Sequence, residues 1–377
     1  ARAWVNGAFE MRNLKKIDIN SLLGRAVITL NNPQLEAHFT GKTVLVTGAA
    51  GSIGSGLATA LLQHGVGQLI LLDQAETALF ELEQHFKQQT STTFIEYAIG
   101  DICDQQRMRK LFEQYTPQII FHAAAYKHVP LMETNPAEAI RNNIGGTQIM
   151  AQLAAEFGAG QFIMISTDKA VNPTNVMGAS KRIAEMLVTT LNETQRTAYI
   201  TTRFGNVLGS NGSVIPLFEK QIASGGPVTL TDERITRFFM TIPEACQLVL
   251  EAAVMGNGGE IFVFDMGSPV KILDLAKKMI QLSGLRPYAD IDIKVTGLRP
   301  GEKLYEEVLA TSENTIPTHH PQILIAKTRT TSPDQKNLIN DLLAKASHQD
   351  NESSVGLMKQ IVPEYISNNS LFQKLDK

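Results

Sequence analysis

The chain has 377 residues, 43% of them hydrophobic and 19% charged, with a formal net charge of −3 and a pI near 6.3. That length supplies one large or two smaller domains with ample buried core, and the balance of charge lacks the basic footprint of a nucleic-acid binder. The two cysteines, Cys103 and Cys246, stand outside any CxxC or Cys/His cluster, which argues against a disulfide framework or a zinc site and fits a reducing, cytoplasmic compartment.

Residues 1–40 read as an amino-terminal arm anchored by Leu22, Leu23, Val27 and Ile28, without a signal-peptide pattern. From Gly41 the pattern becomes regular. A β-branched run, Thr43–Thr47, leads into a glycine-rich turn and a helical stretch, Ile53–His64. Gln68–Leu72 is a second apolar strand, and a helix over Glu76–Gln89 separates it from a third, Thr93–Ala98. A helix over Gln105–Gln114, a strand over Gln118–His122 and another over Gln161–Ser166 continue the alternation. Strands and helices alternating at this spacing predict an α/β fold with a doubly wound parallel sheet. Residues 41–205 are the expected Rossmann domain. Over 206–330, Gly, Pro and Ser clusters break the rhythm and predict a smaller carboxy-terminal α/β substrate domain of mixed structure. Residues 331–377 read as two polar helices, the second near Ser354–Ile361, and no run anywhere reaches the ~18–20 apolar residues of a membrane helix.

The first chemistry-bearing motif is Thr47-Gly48-Ala49-Ala50-Gly51-Ser52-Ile53-Gly54, which follows a strand and opens a helix. Glycines at this place let the backbone turn tightly and approach a pyrophosphate, which the amides of the helix start attract. Asp73 lies 19 residues beyond Gly54, at the end of the next strand. A carboxylate there accepts hydrogen bonds from the ribose hydroxyls of NAD and repels the additional phosphate of NADP, so NAD is the expected cofactor. Asp101 and Ile102, after the third strand, are placed to reach the adenine. Ala123, Ala124 and Ala125, after the fourth, are small enough for a cofactor to lie against the sheet.

Ser166-Thr167-Asp168-Lys169 ends a strand, and Met177-Gly178-Ala179-Ser180-Lys181 begins the next helix. Together with the glycine turn and the segment Asn143–Thr147, these residues resemble the extended short-chain dehydrogenase/reductase superfamily. The strings Ala124–Pro130, Arg203–Val207 and Gly297–Lys303 narrow the resemblance to its polysaccharide-biosynthesis branch, which contains UDP-N-acetylglucosamine 4,6-dehydratases. The similarity spans roughly residues 20 to 365. One departure stands out: where the superfamily has a Tyr acid/base residue four positions before the helix Lys, this chain has Met177, as some dehydratases of the branch do.

The resemblance implies an NAD-dependent lyase that oxidises the sugar at C4, removes the C5 proton, expels the 6-hydroxyl and reduces C6, opening a modified-sugar pathway. It assigns Asp168 as the acid for the leaving hydroxyl and Lys169 as the base at C5, with Lys181 and Asn143 on the cofactor side and Thr167 at the 4-hydroxyl. Lys169 must be neutral to serve as a base, so a pKa lowered by Lys181 and the nicotinamide charge is expected. Asp168 is the candidate to carry the 4-hydroxyl proton in place of the missing Tyr. For the UDP-sugar, Arg237 and Arg299 are candidate forks for the diphosphate, with Asn206, Glu302 and Lys127 as further contacts. His319-His320 lacks a third ligand and is not read as a metal site. The resemblance further implies a homodimer, and a cytoplasmic-face location if a longer parent carries membrane helices, although this chain itself makes no membrane contact. Two other readings stay open: a UDP-N-acetylhexosamine 4-epimerase, which needs an acid/base group where Met177 stands, and a non-catalytic nucleotide-sugar or NAD-binding module.

Overall fold

A computed structural model of the chain describes residues 32–89, 92–192, 196–307, 315–326 and 333–376. The proposed arm anchors Leu22, Leu23, Val27 and Ile28 lie outside these residues. The short helix Pro33–Phe39 is described, and Asn32 starts it by accepting the Gln34 amide while donating to Glu251 on a distant helix.

Nine strands form the central sheet: β1 (Thr43–Thr47), β2 (Gln68–Asp73), β3 (Phe94–Ile99), β4 (Ile119–His122), β5 (Gln161–Thr167), β6 (Ala198–Phe204), β7 (Ile261–Phe264), β8 (Thr315–Pro317) and β9 (Ile323–Ala326). Their order is β8-β9-β7-β6-β5-β4-β1-β2-β3, parallel from β3 through β7, with β8 and β9 antiparallel at the far edge. The alternation along each strand shows why the sheet is covered on both faces. In β1, Val44 and Val46 enter one core and Leu45 the other; in β2, Leu69 and Leu71 oppose Ile70 and Leu72. Side chains one residue apart point to opposite faces, so near-continuous apolar strands require two helical layers.

The expected strands and helices from Thr43 to Ser166 appear within a few residues of their sequence positions. Helix Ser52–Leu61 closes through a 3-10 turn at Leu62–His64, and helix Glu76–Lys87 follows β2. The stretch 206–330 is divided between two bodies. Residues 208–239 and 270–293 surround a separate small core of Leu208, Phe218, Ile222, Phe239, Met279 and their neighbours. By contrast β7, β9 and helix Ile242–Met255, started by a Thr241/Glu244 capping box, belong to the central sheet and its second layer. A sequence break at 206 therefore does not mark the end of the main core. Helices Pro333–Ser347 and Asn351–Ile361 also join that core, burying Ile339, Leu342, Val355, Met358 and Ile361.

Strand order reverses direction between β1 and β4, leaving a crevice beyond their carboxyl ends. Open α/β sheets bind ligands at such a point.

Candidate active site

The crevice floor is built by β1 and β4. Gly48 has φ +63°, and a Cβ there would lie 2.7 Å from the Ala124 backbone; a Cβ on Gly54 would lie 2.1 Å from the Gly48 carbonyl oxygen. The turn and the start of helix Ser52–Leu61 thus pack so tightly that only glycine fits. The N-cap residue Gly51 gives this helix no side-chain cap, which leaves its first amides for a ligand. Ser52 is partly spent: its Oγ accepts the Asn211 amide at 3.0 Å. Ile53 shares that first turn, and its carbonyl accepts the Cys246 thiol.

The Asp73 carboxylate ends β2 and reads back onto the glycine turn, accepting the Ala50 amide at 2.9 Å and the Ala75 amide at 2.9 Å. Asp101 accepts the Cys103 amide and pairs with Arg141 at 2.7 Å. Gly48, Gly51 and Asp73 line a single cleft with Asp101, Ile102 and Ala123–Ala125, so most of the expected cofactor residues converge. Tyr126 and Asn142, which the motif reading did not single out, line it as well. Asn143 does not face the cleft with a free group. It is fully buried, accepts the Tyr126 amide, and donates to the Tyr126 carbonyl and Ser180 Oγ. Its amide clamps the segment after β4 onto helix Val176–Asn192 and has no donor left for a cofactor.

The same helix carries Lys181, buried to 4% exposure, with no hydrogen-bond partner on Nζ among the described residues. Burial pushes its pKa down to about 8, against the pull of Glu185. His122, at the end of β4, is also fully buried, held between Thr47 and Thr147 at 2.9 and 3.0 Å. Burial, helped by the Lys181 charge, lowers it to about 3, so it is a neutral structural imidazole. Met177 is buried in the first turn of the helix and offers no ionisable group; its carbonyl accepts Ser180 Oγ.

β5 delivers the reactive cluster. Thr167 ends the strand and Asp168 begins a 3-10 turn, Asp168–Ala170. Asp168 Oδ1 accepts Thr167 Oγ1 at 2.8 Å and Lys169 Nζ at 3.0 Å, while its buried Oδ2 has no partner among the described residues. Lys169 Nζ also donates to Asn206 Oδ1 at 3.1 Å and lies 3.5 Å from Glu306 Oε1. The expectation of a lowered Lys169 pKa is corrected here. Burial is the largest influence and lowers it, but Asp168 and Glu306 together outweigh burial and the opposing Arg237, leaving the pKa raised. Without a ligand Lys169 is therefore an ammonium.

Arg237 also departs from expectation. It is buried, and its guanidinium donates to the carbonyls of Thr236, Lys303 and Leu304 and lies 3.7 Å from both Glu302 and Glu306. Its fork is spent on fixing the 299–307 loop, with none of these groups directed to a diphosphate. Arg299 stays at the exposed rim, paired with Glu302 at 3.2 Å, and Lys127 donates to the Asn211 carbonyl. Glu306 is the residue that sequence reasoning missed. The spacing Glu302-x3-Glu306 hinted at a common face, but it lies in a loop where periodicity carries no information.

The cofactor can be tested against these features. Glycines that exclude a Cβ, an uncapped helix start, a strand-end carboxylate and a buried amine without a partner are what a dinucleotide would occupy, and the residues fit NAD.

Residues 44–328 match the family model described as polysaccharide biosynthesis protein. The capsular polysaccharide biosynthesis protein CapD of Staphylococcus aureus is 50% identical over 86% of this chain and 53% of its own length. An inverting UDP-N-acetylglucosamine 4,6-dehydratase of Campylobacter jejuni is 36% identical over 73% of this chain and 80% of its own. The solved structure of Pen from Bacillus thuringiensis superposes with a TM-score of 0.72 at 35% identity, covering 78% of this chain and 89% of that one. This chain thus spans about half the length of CapD and of the probable polysaccharide biosynthesis protein EpsC of Bacillus subtilis.

Proposed function

The chain belongs to the polysaccharide biosynthesis protein family, and we propose that within it this protein is an NAD-dependent 4,6-dehydratase of UDP-N-acetylglucosamine. The observation that carries this reading is the contact of Asp168 with Lys169 at a strand end, beside a helix whose Tyr position is Met177. The acid/base work then falls on two groups side by side, which suits a reaction that moves one proton between hydroxyls and another on and off carbon.

The glycine turn and the amides of Ser52 and Ile53 would hold the pyrophosphate of NAD, Asp73 its adenosine ribose, and Lys181 its nicotinamide ribose. When bound, NAD supplies the reversible acceptance of hydrogen from C4 and its return at C6. Asp168 takes the 4-hydroxyl proton on its free Oδ2 and later delivers it to the departing 6-hydroxyl. Thr167 orients that carboxylate through its 2.8 Å hydrogen bond. Lys169, once neutral, removes the C5 proton and, after exchange with solvent, reprotonates the same carbon. Asn206, Arg299 and Glu302 surround the sugar nucleotide, with Lys127 at the loop opposite.

Mass spectrometry of UDP-N-acetylglucosamine incubated with the protein in heavy water tests this. Loss of one water with gain of one deuterium is expected. Unchanged mass with appearance of the galacto isomer would move the assignment to a 4-epimerase. Unchanged substrate with NAD added and bound would overturn the catalytic reading.

A further inference from the structure

Lys169 Nζ has three acceptors around it: Asp168 Oδ1, Asn206 Oδ1 and Glu306 Oε1, at 3.0, 3.1 and 3.5 Å. An ammonium has three N–H donors; two go to Asp168 and Asn206, and the Glu306 carboxylate stands beside it as an ion pair. A neutral amine has two donors and a lone pair, and the lone pair repels a carboxylate oxygen. One of the three contacts must therefore open before Lys169 can act as a base, and the one to Asp168 weakens once that carboxyl takes the 4-hydroxyl proton.

Glu306 is an unusual group to leave in this place. Its side chain is 3% exposed, its Oε2 has no partner among the described residues, and its neighbouring cation Arg237 stands off at 3.7 Å while donating to backbone carbonyls. A buried carboxylate with a bare oxygen costs stability. The Lys169 amine, which shuttles between charge states, gives that cost a purpose.

We infer that Glu306 is a positioning residue for Lys169: it holds Nζ at rest and is the anion that remains beside it during the reaction. The inference rests on the proposed dehydratase chemistry and follows its proton ledger. Taking the 4-hydroxyl proton makes Asp168 neutral, so Lys169 loses one of its two anionic neighbours and gives up its resting proton to solvent. The C5–H bond then breaks, its proton joins the Lys169 lone pair, and its electron pair forms the C5–C6 double bond as the C6–O bond breaks. Water leaves with the proton from Asp168. The new ammonium is matched at that moment by Glu306 alone. When C6 regains hydrogen, Lys169 gives a proton to C5 and regains its resting proton from solvent, so the resting charges are restored. The groups facing Nζ are thus Asp168 from its own turn, Asn206 from the short strand after β6, Glu306 from the 299–307 loop, and Arg237 from strand Thr236–Arg237, whose charge opposes the two anions.

The test follows Lys169 itself. Lysines of the full chain are labelled biosynthetically with 13C at Cε, which leaves every N–H donor in place, and the Lys169 signal is assigned by its loss in Lys169→Arg. Glu306→Gln should lower its titration midpoint by about one unit or more, as removal of a nearby opposite charge does. The ascending limb of the kcat/KM profile should move to lower pH with it, while kcat falls at least tenfold and NAD affinity stays within twofold. Glu306→Asp keeps the charge on a shorter arm and should hold the midpoint near the wild-type value with a reduced kcat. An unchanged midpoint in Glu306→Gln, or one lowered equally in Glu306→Asp, would overturn the inference. If the Gln variant fails to fold, the midpoint of the Asp variant decides. Should UDP-N-acetylglucosamine prove not to be a substrate, the dehydratase reading falls while the titration still reports on Glu306.

Discussion

Lys181 holds an amine in the closed interior of the site with nothing to donate to, and that burden can be weighed. Lowering its pKa from 10.5 to about 8 corresponds to roughly 3 kcal/mol against the charged form. Between those two values the unfolded chain carries the proton and the folded one does not, so stability rises with pH across that interval. Lys181→Met should abolish this rise, raise the melting temperature of the ligand-free protein at pH 7, and lose NAD binding; thermal melts from pH 7 to 11 with and without NAD check all three. The glycine turn answers the same question by sterics. Gly54→Ala places a methyl 2.1 Å from the Gly48 carbonyl, with an expected cost of about 1–3 kcal/mol and loss of NAD binding by calorimetry. Gly48, Gly54 and Asp73 were legible in the sequence because their roles follow from local chain geometry. Glu306 and the Arg237 latch were not, because each depends on a loop brought close through space.

Among the elements, the helix Val176–Asn192 ties the two halves of the site together. Glu185, fully buried, accepts from Ser166 Oγ at 2.7 Å and pairs with Arg203 on β6, with Arg182 nearby. These partners hold the Glu185 carboxyl below its usual range although burial, the largest influence, pushes it up. Glu185→Gln leaves Arg203 buried without its counter-charge and should destabilise the fold by roughly 3–5 kcal/mol, read by urea denaturation. Strands were readable from their alternation and from the turns between them. The π turn at Ile140–Gly146 was not, since the same apolar residues satisfy an ordinary helix; its extra residue lets Asn143 reach both Tyr126 and Ser180.

At the scale of the molecule, the carboxy-terminal segment is more than a pair of polar helices. Beyond them the chain returns to the site: the Gly301 amide donates to the Asn368 carbonyl, Asn368 Nδ2 to the Glu302 carbonyl, and Asn369 Nδ2 to the Leu298 carbonyl. Ser370 donates to Glu133, whose other oxygen accepts the Val176 amide. Ending the chain after Tyr365 removes this strap but only Phe372 and part-buried Leu375 from the main core. UDP-sugar affinity should fall about tenfold, ~1.4 kcal/mol, with NAD binding unchanged, as calorimetry with each ligand would show. The polar surface of these helices hid this role, because three side-chain and backbone contacts leave no periodic mark.

The Arg237 latch bears on redesign. A guanidinium that grips the carbonyls of Lys303 and Leu304 while facing Glu302 and Glu306 makes the sugar-side loop and its anchor one inheritable module. Exchanging the 299–307 loop with that of a relative would transplant the contacts without their clasp. A working chimera has to move residues 236–240, the loop and the Asn368–Asn369 strap as a set.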